Sequence, residues 1–370
     1  MSRGYAEAVQ ARLAALLADG CTSFGALLAG AGGADPRVVA DWWREHGGST
    51  QAPEDRGATE AGLRPGLHPL HSEWYFTSDC AQALANRFGD RLLALGTPTV
   101  AALAREAILV ERDAALIRRR FGPRTPTTVE LELGSVHELP DRDALAGPFD
   151  AALLDPPWYA PHPRRWLALA GRRVRLGGTL AMVVPPELQR PTAERERSDA
   201  LALARRFGPT TLESGAVRYA TPRFERLALA QAGIDVPAAW RTADLLVTRV
   251  ESREVEVEAP HDAAAGFETF AVDSQLVLLT TAARPGPPAL HAVEGIDGYC
   301  WDQITSRDPR VATIDVWTSE SRVARVTGRD AIADMLRRIA SGMTPSDATD
   351  DRGLAADLGR LLGGIRPSRD

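Results

Sequence analysis

The residues best suited to chemistry lie together in Asp155-Pro156-Pro157-Trp158-Tyr159. A carboxylate accepts hydrogen bonds through both oxygens, and a proline has a fixed φ and a carbonyl that its missing N–H cannot answer. Side by side, Asp155 and the Pro156 carbonyl offer two acceptors a few ångströms apart, which suits an NH2 group. Trp158 and Tyr159 add flat apolar faces on which a planar substrate can stack. The alternative is a strand terminator followed by a core tryptophan.

These residues need a frame. Ala151 to Leu154 is an apolar run without Gly or Pro, the pattern of a buried strand, and two successive prolines stop it. Asp155 is therefore expected at the carboxyl end of a sheet, the edge where open α/β sheets bind ligands. Upstream, a helix from Ser78 to Phe88 leads to a strand from Arg91 to Leu95 and the turn Gly96-Thr97-Pro98-Thr99. Such a turn exposes main-chain N–H groups, with Pro98 at a first helical position. The strand Ala107 to Val110 ends at Glu111-Arg112-Asp113, and Glu111 stands where a carboxylate can accept from ribose hydroxyls, with Asp113 as a cap for the next helix. A strand from Thr128 to Leu133 precedes Gly134-Ser135-Val136. Downstream come a helix (Pro163 to Arg175), the pair Gly177-Gly178, a strand (Thr179 to Pro185), a helix (Thr192 to Phe207) and strands near Thr211 to Tyr219 and Asp244 to Val250. This alternation reads as a doubly wound α/β sheet.

The tetrapeptide resembles motif IV of amino-directed S-adenosylmethionine methyltransferases. With Trp74-Tyr75-Phe76-Thr77, the Leu-Gly-Thr-Pro turn and Glu-x-Asp in the same order, residues 67–250 are similar to the probable N6-adenine methyltransferase family. The resemblance implies a Rossmann-like methyltransferase fold and S-adenosylmethionine as cofactor. It implies that Asp155, Pro156, Pro157 and Trp158 grip the methylated amine. Trp74, Tyr75, Phe76 and Thr77 would line the methionine end of the cofactor, with Gly96, Thr97 and Pro98 close to it. Glu111 would hold the ribose, and Ser135 and Val136 would lie near the adenine. Tyr159, Arg223 and Phe224 would meet the substrate; the segment Tyr219 to Glu225 reads either as a substrate-contacting hairpin or as a plain capping hairpin. That family also includes lysine methyltransferases. A weaker resemblance, to branched-chain polyamine synthases carrying Asp-Pro-Pro-Tyr, implies aminopropyl transfer. Arg164, Arg165, Arg172 and Arg173 near the motif speak against a polycationic acceptor. A catalytically dead binding module is the remaining reading.

The rest of the 370 residues bounds these readings. Hydrophobic residues make up 44% and charged ones 25%, an ordinary globular composition, and the net charge is −6. That balance argues against nucleic-acid binding by bulk charge and leaves a local Arg-lined groove as the route to a DNA or RNA partner. All 43 cationic Lys and Arg positions are Arg, so no lysine can serve in catalysis. Cys21, Cys80 and Cys300 fit neither a disulfide framework nor a zinc site, and no metal is expected. A reducing, cytoplasmic setting is expected, without signal peptide or membrane span.

Residues 1–48 read as an N-terminal module of three short helices, either winged-helix-like or packed on its neighbour, and 49–66 as a linker. Residues 251–341 read as a small β-rich domain, with strands near Val255 and Val257, Phe267 to Phe270, Leu276 to Leu279 and Val311 to Trp317, closed by a helix from Arg329 to Ile339. Residues 342–370 read as a mobile tail with one short amphipathic helix.

Overall fold

The computed structural model describes residues 3–50, 74–88, 90–111, 129–133, 147–158, 162–255, 267–272, 275–282, 284–296, 299, 310, 313–320 and 322–363. They fall into two compact units. The first holds the described residues up to Thr221 together with 232–255, and the second holds 222–231 and those from 267 onward.

The first unit opens with α1 (Arg3–Ala18), α2 (Phe24–Gly30) and α3 (Pro36–Glu45). Their starts follow from local chemistry. The Ser23 hydroxyl accepts from the Ala26 N–H, and Asp35 accepts from the Arg37 N–H ahead of a proline at the first turn. These helices are tied to the sheet region of the same unit. The Tyr5 hydroxyl donates to the Leu188 carbonyl at 2.7 Å, the Leu188 N–H donates to the Gly32 carbonyl at 2.9 Å, and Arg44 donates to the Gly233 carbonyl at 3.0 Å. Trp42 and Trp43 of α3 are buried, and residues 3–50 contain no strand. With its aromatics buried and Arg44 bonded to the Gly233 carbonyl, α3 packs within the first unit.

Seven strands follow: β1 (Arg91–Leu95), β2 (Glu106–Glu111), β3 (Val129–Leu133), β4 (Phe149–Leu154), β5 (Val174–Val184), β6 (Thr210–Arg218) and β7 (Thr242–Arg249). They form one sheet in the order β3-β2-β1-β4-β5-β7-β6. β1 to β5 are parallel, while β7 runs antiparallel between β5 and β6. This is a doubly wound, Rossmann-like α/β fold.

Side chains alternate along the strands onto two faces. Leu92, Ala94, Leu153 and Val183 join the core under α4 (Ser78–Phe88) and the short α5 (Pro98–Ala101). Leu93, Leu95, Leu154 and Met182 join the core under α6 (His162–Gly171) and α7 (Ala193–Arg205). β5 begins at Val174, earlier than expected at Thr179, and runs through Gly177 and Gly178. Gly178 is forced there, because a Cβ would stand 2.7 Å from the Asp150 carbonyl oxygen where the β4–β5 register shifts.

The second unit contains α8 (Arg223–Gln231) and an antiparallel sheet of β8 (Phe267–Val272), β9 (Gln275–Thr280), β10 (Ala289–His291), β11 (Val316–Thr318) and β12 (Val323–Thr327) in the order β10-β12-β11-β9-β8. Val255 is not in a strand and packs in the first unit, whereas β10 and β12 were not expected. α9 (Arg329–Ala340) lays Ile332, Ala333, Leu336 and Ile339 on the sheet. Two further helices follow, α10 (Pro345–Ala348) and α11 (Arg352–Leu361); the second is the amphipathic helix expected there, and its burial corrects the expectation of a mobile tail from residue 342. Leu354, Leu358, Leu361 and Leu362 belong to the same core, and Gln275 donates to the Leu362 carbonyl at 3.0 Å. Apolar residues at helical spacing fix that segment by burial. Among the described residues no helix is long and apolar enough to cross a membrane.

Candidate active site

The strand order reverses between β1 and β4, with β2 and β3 on one side and β5 on the other, and this topological switch is where a doubly wound sheet opens a crevice. Both strands end in predicted residues. Gly96 follows β1 and Asp155 follows β4, and the Asp155 N–H donates to the Leu95 carbonyl at 3.0 Å. Gly96 adopts φ +64°, and a Cβ on it would lie 3.0 Å from the Asp155 carbonyl oxygen and 2.9 Å from the Trp166 ring. Only glycine fits such a turn without displacing its neighbours.

Asp155 is enclosed by groups from distant parts of the first unit. The Tyr219 hydroxyl, just past β6, reaches both carboxylate oxygens at 2.9 Å. Tyr219 is anchored in turn by its N–H to the Arg241 carbonyl at 3.0 Å and by an isolated antiparallel bridge to Phe76. The Ala220 N–H donates to the Tyr75 carbonyl at 2.8 Å, so Trp74 to Thr77 run beside the end of β6. Rings complete the enclosure: Tyr219 stands edge-on to Trp74 at 6.4 Å and to Trp158 at 6.1 Å, with Phe76 at 5.2 Å.

This environment sets the carboxyl's acidity. Burial pushes the Asp155 pKa up to about 7, against the pull of the Tyr219 hydroxyl, the Arg241 charge and the Trp158 side-chain donor. Burial and the neighbouring Asp155 charge raise Tyr219 well above its ordinary value, so its hydroxyl stays a donor. A carboxyl poised near neutrality can accept a proton and return it.

Arg241 brings a cation to the site. Its guanidinium lies over Trp74 at 4.4 Å and Trp158 at 4.6 Å from the ring centroids, with Tyr219 at 6.0 Å. The backbone of Trp158 is held separately, since Arg190 donates to its carbonyl and pairs with Glu196. Trp158 is therefore a fixed wall, one face of which carries Arg241.

Of the residues expected to act, Asp155, Pro156, Trp158, Trp74, Tyr75, Phe76, Thr77, Gly96, Thr97 and Pro98 gather at this edge; Pro157 follows there with its ring exposed. Glu111 ends β2, whose Val110 carbonyl lies 3.5 Å from the Gly96 nitrogen, which sets the Glu111 main chain beside the turn. Ser135, Val136 and Tyr159 lie outside the described residues. Arg223 and Phe224 open α8 in the second unit, in place of the expected hairpin. A helix forms because Arg223 to Gln231 contains good helix formers behind Pro222 and lacks turn residues. Sequence reasoning missed Tyr219 as a partner of Asp155 and missed Arg241 altogether. The available signal was the aromatic-cation pair Trp240-Arg241 immediately before a strand.

No family model and no curated protein sequence matches the chain. Among solved structures, the branched-chain polyamine synthase of Thermus thermophilus, bound to N4-aminopropylspermidine and 5'-methylthioadenosine, aligns with a TM-score of 0.50 at 14% identity, over 70% of this chain and 90% of that one. A mutein of the same enzyme aligns with the same TM-score at 16% identity, over 69% and 90%. The chain shares its fold with that synthase. An rRNA methylase from Streptococcus thermophilus aligns more remotely, with a TM-score of 0.30 at 13% identity over 51% of this chain and all of that one.

Residues at the β1 turn could hold the polar part of a cofactor. The hydroxyls of Thr97 and Thr99, just after Gly96, are buried without a hydrogen-bond partner.

Proposed function

We propose that the protein is an S-adenosylmethionine-dependent transferase that methylates an amino group, with adenine N6 in nucleic acid as the acceptor. The observation that carries this reading is the Asp155 carboxylate at the switch point, with Tyr219 on its oxygens and aromatic rings on its flanks. When bound, the cofactor supplies a sulfonium methyl for in-line displacement. Gly96, Thr97 and Pro98 would hold its amino-acid end, and Glu111 its ribose.

Asp155 and the Pro156 carbonyl accept from the two N–H bonds of the acceptor and orient its lone pair. Their attraction for the amine grows as that nitrogen becomes positive, so they act on the rate more than on binding. Asp155, with a pKa about 7, takes the proton that the amine must shed. Tyr219 holds the carboxylate in place, and the rings of Trp74, Phe76 and Trp158 pack around Tyr219.

A second reading, aminopropyl transfer to a polyamine, is favoured by the fold shared with the Thermus synthase. Against it stands Arg241, a cation packed on the ring walls of the site, where a polycationic acceptor meets repulsion. Thermal stability with each product nucleoside distinguishes the two. Protection by S-adenosylhomocysteine supports methyl transfer; protection by 5'-methylthioadenosine alone would replace it with aminopropyl transfer.

A further inference from the structure

We propose that Arg190 is a positioning residue of the site: it fixes the main chain of Trp158 and so aims the Trp158 indole at Asp155, while the N-terminal helices brace the loop that carries it. Its effect on transfer rests on the transferase reading above; its hold on Trp158 does not.

The motif has little means of holding itself. Asp155 donates its N–H to the Leu95 carbonyl, but Pro156 and Pro157 have no N–H to give, so the next two residues add no main-chain donor. Trp158 nevertheless has to be aimed. Its ring stands edge-on to Tyr219 at 6.1 Å, and its indole N–H, the one donor of that side chain, serves Asp155. Arg190 supplies the anchor from outside. A single terminal nitrogen of its guanidinium donates both to the Trp158 carbonyl and to the Glu196 carboxylate in the first turn of α7. Glu196 accepts in addition from the Thr192 hydroxyl at 3.0 Å, and a carboxylate near a helix start is favoured by the helix dipole. The side chains of Arg190 and Glu196 are 28% and 21% exposed, so water and salt weaken the pair less than they weaken a surface one.

The loop from β5 to α7 is fixed in turn. The Gln189 N–H closes a turn on the Pro186 carbonyl at 3.1 Å. Within that turn both main-chain groups of Leu188 are held by the N-terminal helices: its carbonyl accepts from the Tyr5 hydroxyl at 2.7 Å, and its N–H donates to the Gly32 carbonyl at 2.9 Å. Gly33, at φ +82°, lets the Pro186 ring come so near that a Cβ would stand 2.5 Å from it. Leu188 lies two positions before Arg190. The N-terminal helices thereby set the point from which Arg190 reaches the motif.

The test uses the full chain, isotopically labelled, and hydrogen exchange at tryptophan indoles, with the Trp158 signal identified by its loss in Trp158→Phe. Arg190→Gln should speed exchange at the Trp158 indole by at least about tenfold, the factor for one hydrogen bond to a charged group. Arg190→Lys, which can still donate to both acceptors, should recover part of that factor. Tyr5→Phe should shift exchange in the same direction by less. The Trp43 indole, which donates to the Ser49 carbonyl at 2.9 Å, should keep its protection in Arg190→Gln, which separates a local change from unfolding. Should Arg190→Gln fail to fold, Glu196→Gln keeps the arginine, removes its charged partner and is read in the same way. In transfer from methyl-tritiated S-adenosylmethionine to nucleic acid, Arg190→Gln should lower kcat about tenfold or more and leave the affinity for S-adenosylhomocysteine as it is. Wild-type exchange at Trp158 in Arg190→Gln overturns the role of Arg190 and leaves the transferase reading intact. Wild-type exchange in Tyr5→Phe overturns the bracing by the N-terminal helices. A wild-type protein that transfers no label overturns the transferase reading, and exchange at Trp158 still decides whether Arg190 holds the indole.

Discussion

The Tyr219 hydroxyl sits 2.9 Å from each oxygen of Asp155, although the two residues are 64 positions apart in the chain. A single O–H shared between two carboxylate oxygens holds the carboxyl plane facing the tyrosine and stabilises the charged form. Removing that donor as Tyr219→Phe should therefore raise the Asp155 pKa above its value of about 7. The alkaline rise of the transfer rate should move to higher pH with it, and the variant should lose about 1.5–3 kcal/mol of stability at pH 8, as for hydrogen bonds to charged groups. A pH-rate profile with its midpoint unmoved would break the link between Tyr219 and the ionisation of Asp155.

Asp155 also makes stability depend on pH, and the sign is set by the direction of its shift. The folded carboxyl holds its proton up to about pH 7, whereas the unfolded one releases it near its ordinary value of 3.8. The folded state thus binds the extra proton in between, and stability falls as pH rises through that window. Asp155→Asn removes this dependence. Its unfolding free energy should exceed that of the wild type by a margin that grows from pH 4 to 7 and then levels off, on the order of 1–4 kcal/mol at most. Parallel melting curves for the two proteins across that range would place the carboxyl in a watery setting instead.

Gly96 offers a prediction that concerns shape alone. Alanine there would be held at φ +64° with its methyl 3.0 Å from the Asp155 carbonyl oxygen and 2.9 Å from Trp166. Strain and contact together should cost about 1–3 kcal/mol in chemical denaturation. S-adenosylhomocysteine affinity should drop as well. A variant as stable as the wild type would mean that the turn can relax.

Much of this frame could be read from residue order. The strand Arg91 to Leu95 and the helix Ser78 to Phe88 stand where their patterns put them, because an uninterrupted apolar run and a periodic apolar face each admit one solution. Asp155 was legible since two prolines can only end a strand. The partners of Asp155 were not, because Tyr219 and Arg241 come from the far ends of β6 and the β7 approach, and only the sheet order brings those ends to the switch point. Local signals misled where competing packing won. Val255 alternates like a strand residue yet fills a gap in the core of the first unit, and three-residue β10 is too short to leave a period. The buried leucines of α11 were legible as an amphipathic helix, but the core that accepts them was not.

Glu111 ends β2 beside the Gly96 turn, so a ribose contact there can be tested apart from catalysis. Glu111→Ala should weaken S-adenosylmethionine by about 1.5–3 kcal/mol, the range for hydrogen bonds to a charged group, with the fold unharmed. Calorimetry giving equal affinity would move the ribose elsewhere.

Group transfer to an amine at Asp155 is tested by incubating the protein with methyl-tritiated S-adenosylmethionine and separate pools of DNA, RNA, protein and polyamine, with Asp155→Asn in parallel. Label is expected in adenine of a nucleic-acid pool, at a rate about 10² or more lower in the variant, as when one charge-stabilising group is removed from an active site. Label in no pool, or equal labelling by the wild type and Asp155→Asn, would contradict it.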